Sequence, residues 1–160
     1  MRVYCPILVG ENFLPARCMN RSMQGGHDES PHIVWSDVPQ DAKSYCLLLT
    51  DLDSGSPART LWMIINIPFS VRALLPNASL ATEYLPAECV QLTNAMGNQW
   101  YDGPELLADS DPHRICFELT AVSIEILNLG PYAPAEERMK IIGAKTIERA
   151  VLNVVATRTR

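Results

Sequence analysis

Ser44-Tyr45-Cys46-Leu47-Leu48-Leu49-Thr50-Asp51-Leu52-Asp53 and, after a polar break, Leu61-Trp62-Met63-Ile64-Ile65-Asn66-Ile67-Pro68 carry the strongest pattern in the chain. Each run is apolar at both odd and even positions and is bounded by turn formers or proline. Each therefore reads as a strand inside a sheet covered on both faces. Working outward, Ser30-Pro31-His32-Ile33-Val34-Trp35 reads as a turn followed by a short strand, and Arg114-Ile115-Cys116-Phe117-Glu118-Leu119-Thr120-Ala121 returns to strand character. Twelve prolines at fairly even spacing leave little room for long helices before residue 134. The expected architecture is mainly β: a sandwich-like pair of sheets with peripheral helices, including one at the C-terminus.

That helix is expected to begin after Pro134, with Glu136 and Glu137 placed where a helix N-terminus favours negative charge. Met139, Ile142, Ile147, Ala150 and Val151 approximate one apolar stripe. Gly143 interrupts it, which suggests close packing at that point, and Val154 to Thr157 is expected to form a last strand. Residues 69–112 hold four prolines and an acidic stretch from Glu105 to Asp111. So much irregular chain implies that the segment builds a site or an interface.

A length of 160 residues bounds the chain to one domain, 1–160. Hydrophobic residues make up 48% and charged residues 19%, which excludes global disorder. The net charge is −5, with 7 basic and 15 acidic side chains in 1–130 against 6 and 3 in 131–160. That balance argues against a general nucleic-acid or anionic-membrane binder. No apolar run approaches the roughly 20 residues of a membrane helix, and the opening decapeptide makes a poor secretory signal. Five cysteines without a close pair fit a reducing, cytoplasmic compartment better than a disulfide frame.

Asp51 and Asp53 form the sharpest polar pair, at the point where the chain leaves the sheet. In extended geometry they share a face, where they could hold a cation, orient a histidine or raise one another's pKa. Capping of a turn by Asp51 and solvation of Asp53 explain the same pattern. His113 and Arg114 open a later strand, either as donors to a phosphate or carboxylate or as an edge cap and a structural ion pair. Trp100 and Tyr101 lie in a loop, as a pocket wall or as the lid of a core cluster. His27 and His32 match no tetrahedral metal pattern, and no cofactor or metal is implied. Cys116 sits inside a strand, where a thiol is inert. The motifs of zinc proteases, phosphate-binding loops, dinucleotide folds and serine hydrolases are missing.

In this order, the blocks resemble the phosphatidylethanolamine-binding protein family, in its bacterial Raf kinase inhibitor-like (YbhB/YbcL-type) branch. They run from Leu14-Pro15 through Asp28 to Pro39, Lys43-Ser44-Tyr45, Asp51-Leu52-Asp53 and Trp62 to Pro68. The series continues with Asn94-Ala95-Met96-Gly97, Tyr101-Asp102-Gly103-Pro104 and His113-Arg114. The resemblance implies a β-sandwich-like fold whose pocket binds phosphate-like anions. It assigns Asp51, Asp53, Gly103, Pro104 and His113 to the ligand, with Leu61, Tyr101, Arg114 and Ile115 as further pocket wall. Departures fall on the same pocket. Leu61 stands where the family has a histidine, Ile115 where it has a tyrosine, Leu52 where it has a proline, and Glu105-Leu106-Leu107 follows Gly103-Pro104 in place of the family's double proline. Losing a charge-assisted hydrogen bond removes roughly 1.5–3 kcal/mol, so phosphate affinity is expected to fall.

The expected function is non-catalytic binding of a small anion or a polar or phosphoryl headgroup in this modified pocket. An interaction protein with a vestigial pocket, using residues 75–111 as its partner surface, is the alternative. A hydrolase using His113 and Asp53 as an acid–base pair comes third, because no nucleophile is supplied. Some relatives form dimers, which leaves a homodimer open, while the protein partner is unspecified.

Overall fold

The computed structural model describes residues 1–158; the last two residues of the expected 1–160 domain lie outside it. The two apolar runs form β3 (Ser44–Asp51) and β4 (Arg59–Pro68), after β1 (Arg2–Tyr4) and β2 (Ile33–Ser36). There follow β5 (Ala73–Leu74), β6 (Val90–Leu92), β7 (His113–Val122), helix α1 (Ala135–Lys145) and β8 (Thr146–Ala156). β1, β2 and β5 make a small antiparallel sheet in the order β1-β2-β5, and the other strands make a five-stranded antiparallel sheet in the order β6-β4-β3-β7-β8.

Alternation along the central strands divides the core in two. Tyr45, Leu47 and Leu49 of β3, Trp62 and Ile64 of β4 and Phe117 and Leu119 of β7 face the small sheet, where they meet Trp35. Cys46, Met63, Ile65 and Val122 project from the opposite face and are covered by Ile142 of α1 and by Leu127 and Leu129. Both sets are buried, which explains why these strands read as unbroken apolar runs. Each large side chain fully withdrawn from water contributes about 1.5–3 kcal/mol. Asn66, two residues before the end of β4, has φ +60°, and its amide oxygen and nitrogen bond the backbone of Leu127 at 2.8 and 3.4 Å. A residue type that tolerates the left-handed region thus ties β4 to the covering segment.

The C-terminal region departs from the expected stripe. The helix stops at Lys145, and Ile147, Ala150 and Val151 lie on β8. Met139 is 75% exposed, and a methyl group on Gly143 would meet nothing, so that glycine marks no close packing. Of the helical portion of the stripe, Ile142 alone faces the core. The physical reason is pairing: β8 runs beside β7 from Val122–Thr146 to His113–Ala156, and β-branched Thr146, Ile147, Val151, Val154 and Val155 suit that sheet.

Candidate functional site

The site lies where β3 ends, beneath the loop 101–105. β3 and β7 are antiparallel with Asp51 opposite Ile115, so His113, two residues away on the same face, is the diagonal neighbour of Asp51. His113 Nδ1 lies 2.8 Å from Asp51 Oδ2, and Asp51 Oδ1 accepts the Asp53 amide at 3.1 Å. Asp51 is 1% exposed. Between Leu49–Trp62 and Thr50–Thr60 the β3–β4 register slips, leaving Leu61 as the unpaired residue of a bulge. Bulges re-aim side chains, and Leu61 here enters the cleft beside Asp51.

The loop is held from below. Tyr101 donates its hydroxyl to the Cys18 carbonyl at 2.7 Å and its amide to Ser79 Oγ at 2.6 Å, and it meets Trp62 edge-on. Trp62 Nε1 donates to Gln91 Oε1, and Gln91 Nε2 donates to the Ser79 carbonyl, which joins loop and sheet in one network. Gly103 donates its amide to the buried Asp28 at 2.8 Å. A Cβ on Gly103 would lie 2.4 Å from the Cys18 oxygen and 2.5 Å from the Asn20 nitrogen, so the close approach requires glycine. Asn20 completes the clamp by donating its amide to the Pro104 carbonyl.

These contacts sort the residues read from the sequence. Asp51, Leu61 and Gly103 line a cleft of about 30 Å³, and His113 supports Asp51 from β7. Asp53 turns outward. Its two oxygens take Arg114 Nη2 at 2.7 Å and Nε at 3.0 Å, with the Arg114 amide at 2.7 Å. The Arg114 guanidinium therefore holds the Asp53 carboxyl well below the usual carboxylate range. Tyr101 and Ile115 are fully buried in the core and Pro104 is buried, so none of the three lines the cleft. Trp100 is 40% exposed at the loop surface. His113 bonds Asp51 and Asp53 bonds Arg114, so His113 and Asp53 do not form an acid–base pair.

Three charged lining residues were not singled out from the sequence, Arg59, Asp102 and Glu105, nor were the neutral polar Asn20 and Thr60. Arg59 lies directly across β3–β4 from Asp51, a position that hairpin pairing would have pointed to. Asp102 belongs to the Tyr101–Pro104 block and is fixed by the side-chain amides of Asn94 and Asn98 at 2.6 and 2.8 Å. Glu105 accepts the Ser22 hydroxyl at 2.8 Å. Three carboxylates thus surround the cleft against one guanidinium. Among the described residues no cluster of three or more His, Cys, Asp or Glu side chains is arranged to hold a metal ion.

Two antiparallel sheets with an acid–histidine pair at the end of the central strands define a β-sandwich domain with a small polar cleft. The chain belongs to the phosphatidylethanolamine-binding protein family, whose model matches residues 9–157, and falls in its YbhB/YbcL-type branch. It is 34% identical over 136 residues to a UPF0098 protein of Methanothermobacter thermautotrophicus, covering 85% of this chain and 87% of the relative. A UPF0098 protein of Aquifex aeolicus is 33% identical over 125 residues, or 78% and 72% of the two chains. The crystal structure of Escherichia coli YbcL shares the fold with a TM-score of 0.89 at 22% identity, covering 99% of this chain and 98% of that one. No helix among the described residues is long and apolar enough to cross a membrane.

Proposed function

We propose that the protein is a non-catalytic binder of a small polar headgroup that carries both a phosphoryl group and an ammonium, of the phosphoethanolamine type. The observation that carries this reading is the make-up of the cleft: buried Asp51 braced by His113, with Asp102 and Glu105 beside it and Arg59 as the cation. A bare anion meets three carboxylates there, whereas an ammonium pairs with them and leaves Arg59 for the phosphoryl oxygens. The enclosed space of about 30 Å³ has room for the leading group only. The rest of the headgroup lies across exposed Arg59 and Glu105 at the mouth. The name of the family, which refers to the same headgroup, supports this choice. The five free thiols favour a cytoplasmic setting, since Cys5 is pushed up to about 11 and Cys18, Cys46 and Cys89 up to about 12 by burial.

The test is an amide NMR titration with phosphoethanolamine, ethanolamine and inorganic phosphate. Saturable shifts around Asp51, Leu61 and Gly103, largest for phosphoethanolamine and weakened in Asp51→Asn, are expected. Phosphate alone binding as well as phosphoethanolamine would remove the ammonium from the proposal. A second reading, protein interaction through the long irregular segment, is favoured by exposed Leu75, Leu80, Tyr84 and Leu107. Under that reading substitutions there impair partner capture and Asp51→Asn does not.

A further inference from the structure

Arg138 of α1 is 9% exposed, yet among the described residues no carboxylate lies within ion-pair distance of it. Its guanidinium is held by neutral acceptors instead. Nε donates to the Ala133 carbonyl at 2.7 Å, Nη1 to the Thr93 carbonyl at 2.7 Å, and Nη2 to Thr93 Oγ1 at 2.7 Å and the Pro131 carbonyl at 3.4 Å. Beyond Thr93, Nη1 meets only the Met63 thioether at 3.7 Å, a weak acceptor. Arginine stays protonated in proteins, so the buried charge persists without a counter-charge, which is costly. Burial pulls its pKa below the ordinary value, as expected for a desolvated cation.

Arg138 and Met63 line a cavity of about 180 Å³ between α1 and the outer face of the large sheet, separate from the cleft at Asp51 although Thr60 borders both. Its wall is largely apolar, with Cys46, Leu48 and Ile142, and the exposed Met139 marks its mouth. Burial keeps the Cys46 thiol protonated and neutral at physiological pH. Two guanidiniums, Arg138 and Arg149, face one carboxylate, Glu118, which sits 3.9 Å from Arg149. The balance at the cavity is positive. An apolar cavity of about 150 Å³ is large enough for benzene, which sets the scale of an occupant here.

We propose that this cavity is a second binding site, for a small monocarboxylate with an aromatic or short aliphatic body, whose carboxylate supplies the counter-charge that Arg138 lacks. The body of the ligand packs on Leu48, Met63 and Ile142. Its carboxylate head accepts from the Nη1 hydrogen of Arg138 that otherwise meets only the Met63 thioether.

Methionine-methyl NMR reads the site directly, because Met63 and Met139 line this cavity while Met96 lines the other cleft. Benzoate is expected to shift Met63 and Met139 saturably and leave Met96 in place. Benzyl alcohol, its neutral counterpart, should bind at least about tenfold more weakly. Arg138→Gln should abolish that preference. Leu48→Phe, which fills the cavity without touching Arg138, should abolish binding and keeps the test decisive if Arg138→Gln does not fold. The proposal is overturned by the absence of saturable Met63 and Met139 shifts in the folded protein, by equal affinity for benzyl alcohol, or by unchanged binding in Leu48→Phe.

Discussion

The bond between Asp51 and His113 can be weighed by removing each partner in turn. Asp51 is 1% exposed, and its carboxylate bonds His113 Nδ1 at 2.8 Å and accepts the Asp53 amide at 3.1 Å. Asp51→Asn keeps an oxygen for the Asp53 amide but removes the charge from the oxygen that faces the ring. A buried hydrogen bond to a charged group is worth about 1.5–3 kcal/mol, and that is the expected loss of stability at neutral pH. For a chain of this size the midpoint of thermal unfolding should fall by roughly 3–12 °C. Urea unfolding of the wild type, Asp51→Asn, His113→Ala and the double variant forms a complete cycle. The two substitutions act on one bond, so together they should cost less than the sum of the two, with a coupling of about 1.5–3 kcal/mol. Additivity within about 0.5 kcal/mol would refute the reasoning, because Asp51 and His113 would then stabilise the fold independently.

Gly103→Ala should destabilise the fold by about 1–3 kcal/mol through overpacking against the backbone of residues 18–20, and should move amide resonances of the 101–105 loop. Asn66→Ala should cost about 2–4 kcal/mol by urea unfolding, from two lost bonds to Leu127 and a left-handed backbone that alanine tolerates poorly. The pH dependence of the Asp53–Arg114 pair follows from the lowered pKa of Asp53 in the folded state. Its contribution is complete above the ordinary aspartate range, because both states are then ionised. It is lost as pH falls toward the lower folded value, since the unfolded carboxyl takes up its proton first. The stability gap between the wild type and Arg114→Leu should therefore narrow on acidification below that range. A gap that widens would reverse the assigned sign.

Much of the frame is legible in the chain. Unbroken apolar runs at 44–50 and 61–67 can be satisfied only where both faces are covered, and proline with paired glutamates marks the start of α1. Motif order also brings Asp51, Gly103 and His113 into one region, because each falls at a strand end or in a loop of known order. Three features required the folded molecule. The helix ends at Lys145 because β8 finds a partner along the whole of β7, a contact that local periodicity does not record. Leu61 faces the cleft because of a bulge, a one-residue slip that reverses which side a side chain occupies. Asp51 takes His113 while Asp53 takes Arg114, although the two aspartates share one short motif. Register between residues 62 and 61 positions apart in the chain chooses each partner. The sequence by itself determined which segments must be buried, since hydrophobicity and turn chemistry are local properties. The folded molecule decides which charges meet, that Tyr101 serves as an anchor in the core, and that Arg138 is buried with no carboxylate beside it among the described residues, because these depend on distances between segments remote in the chain.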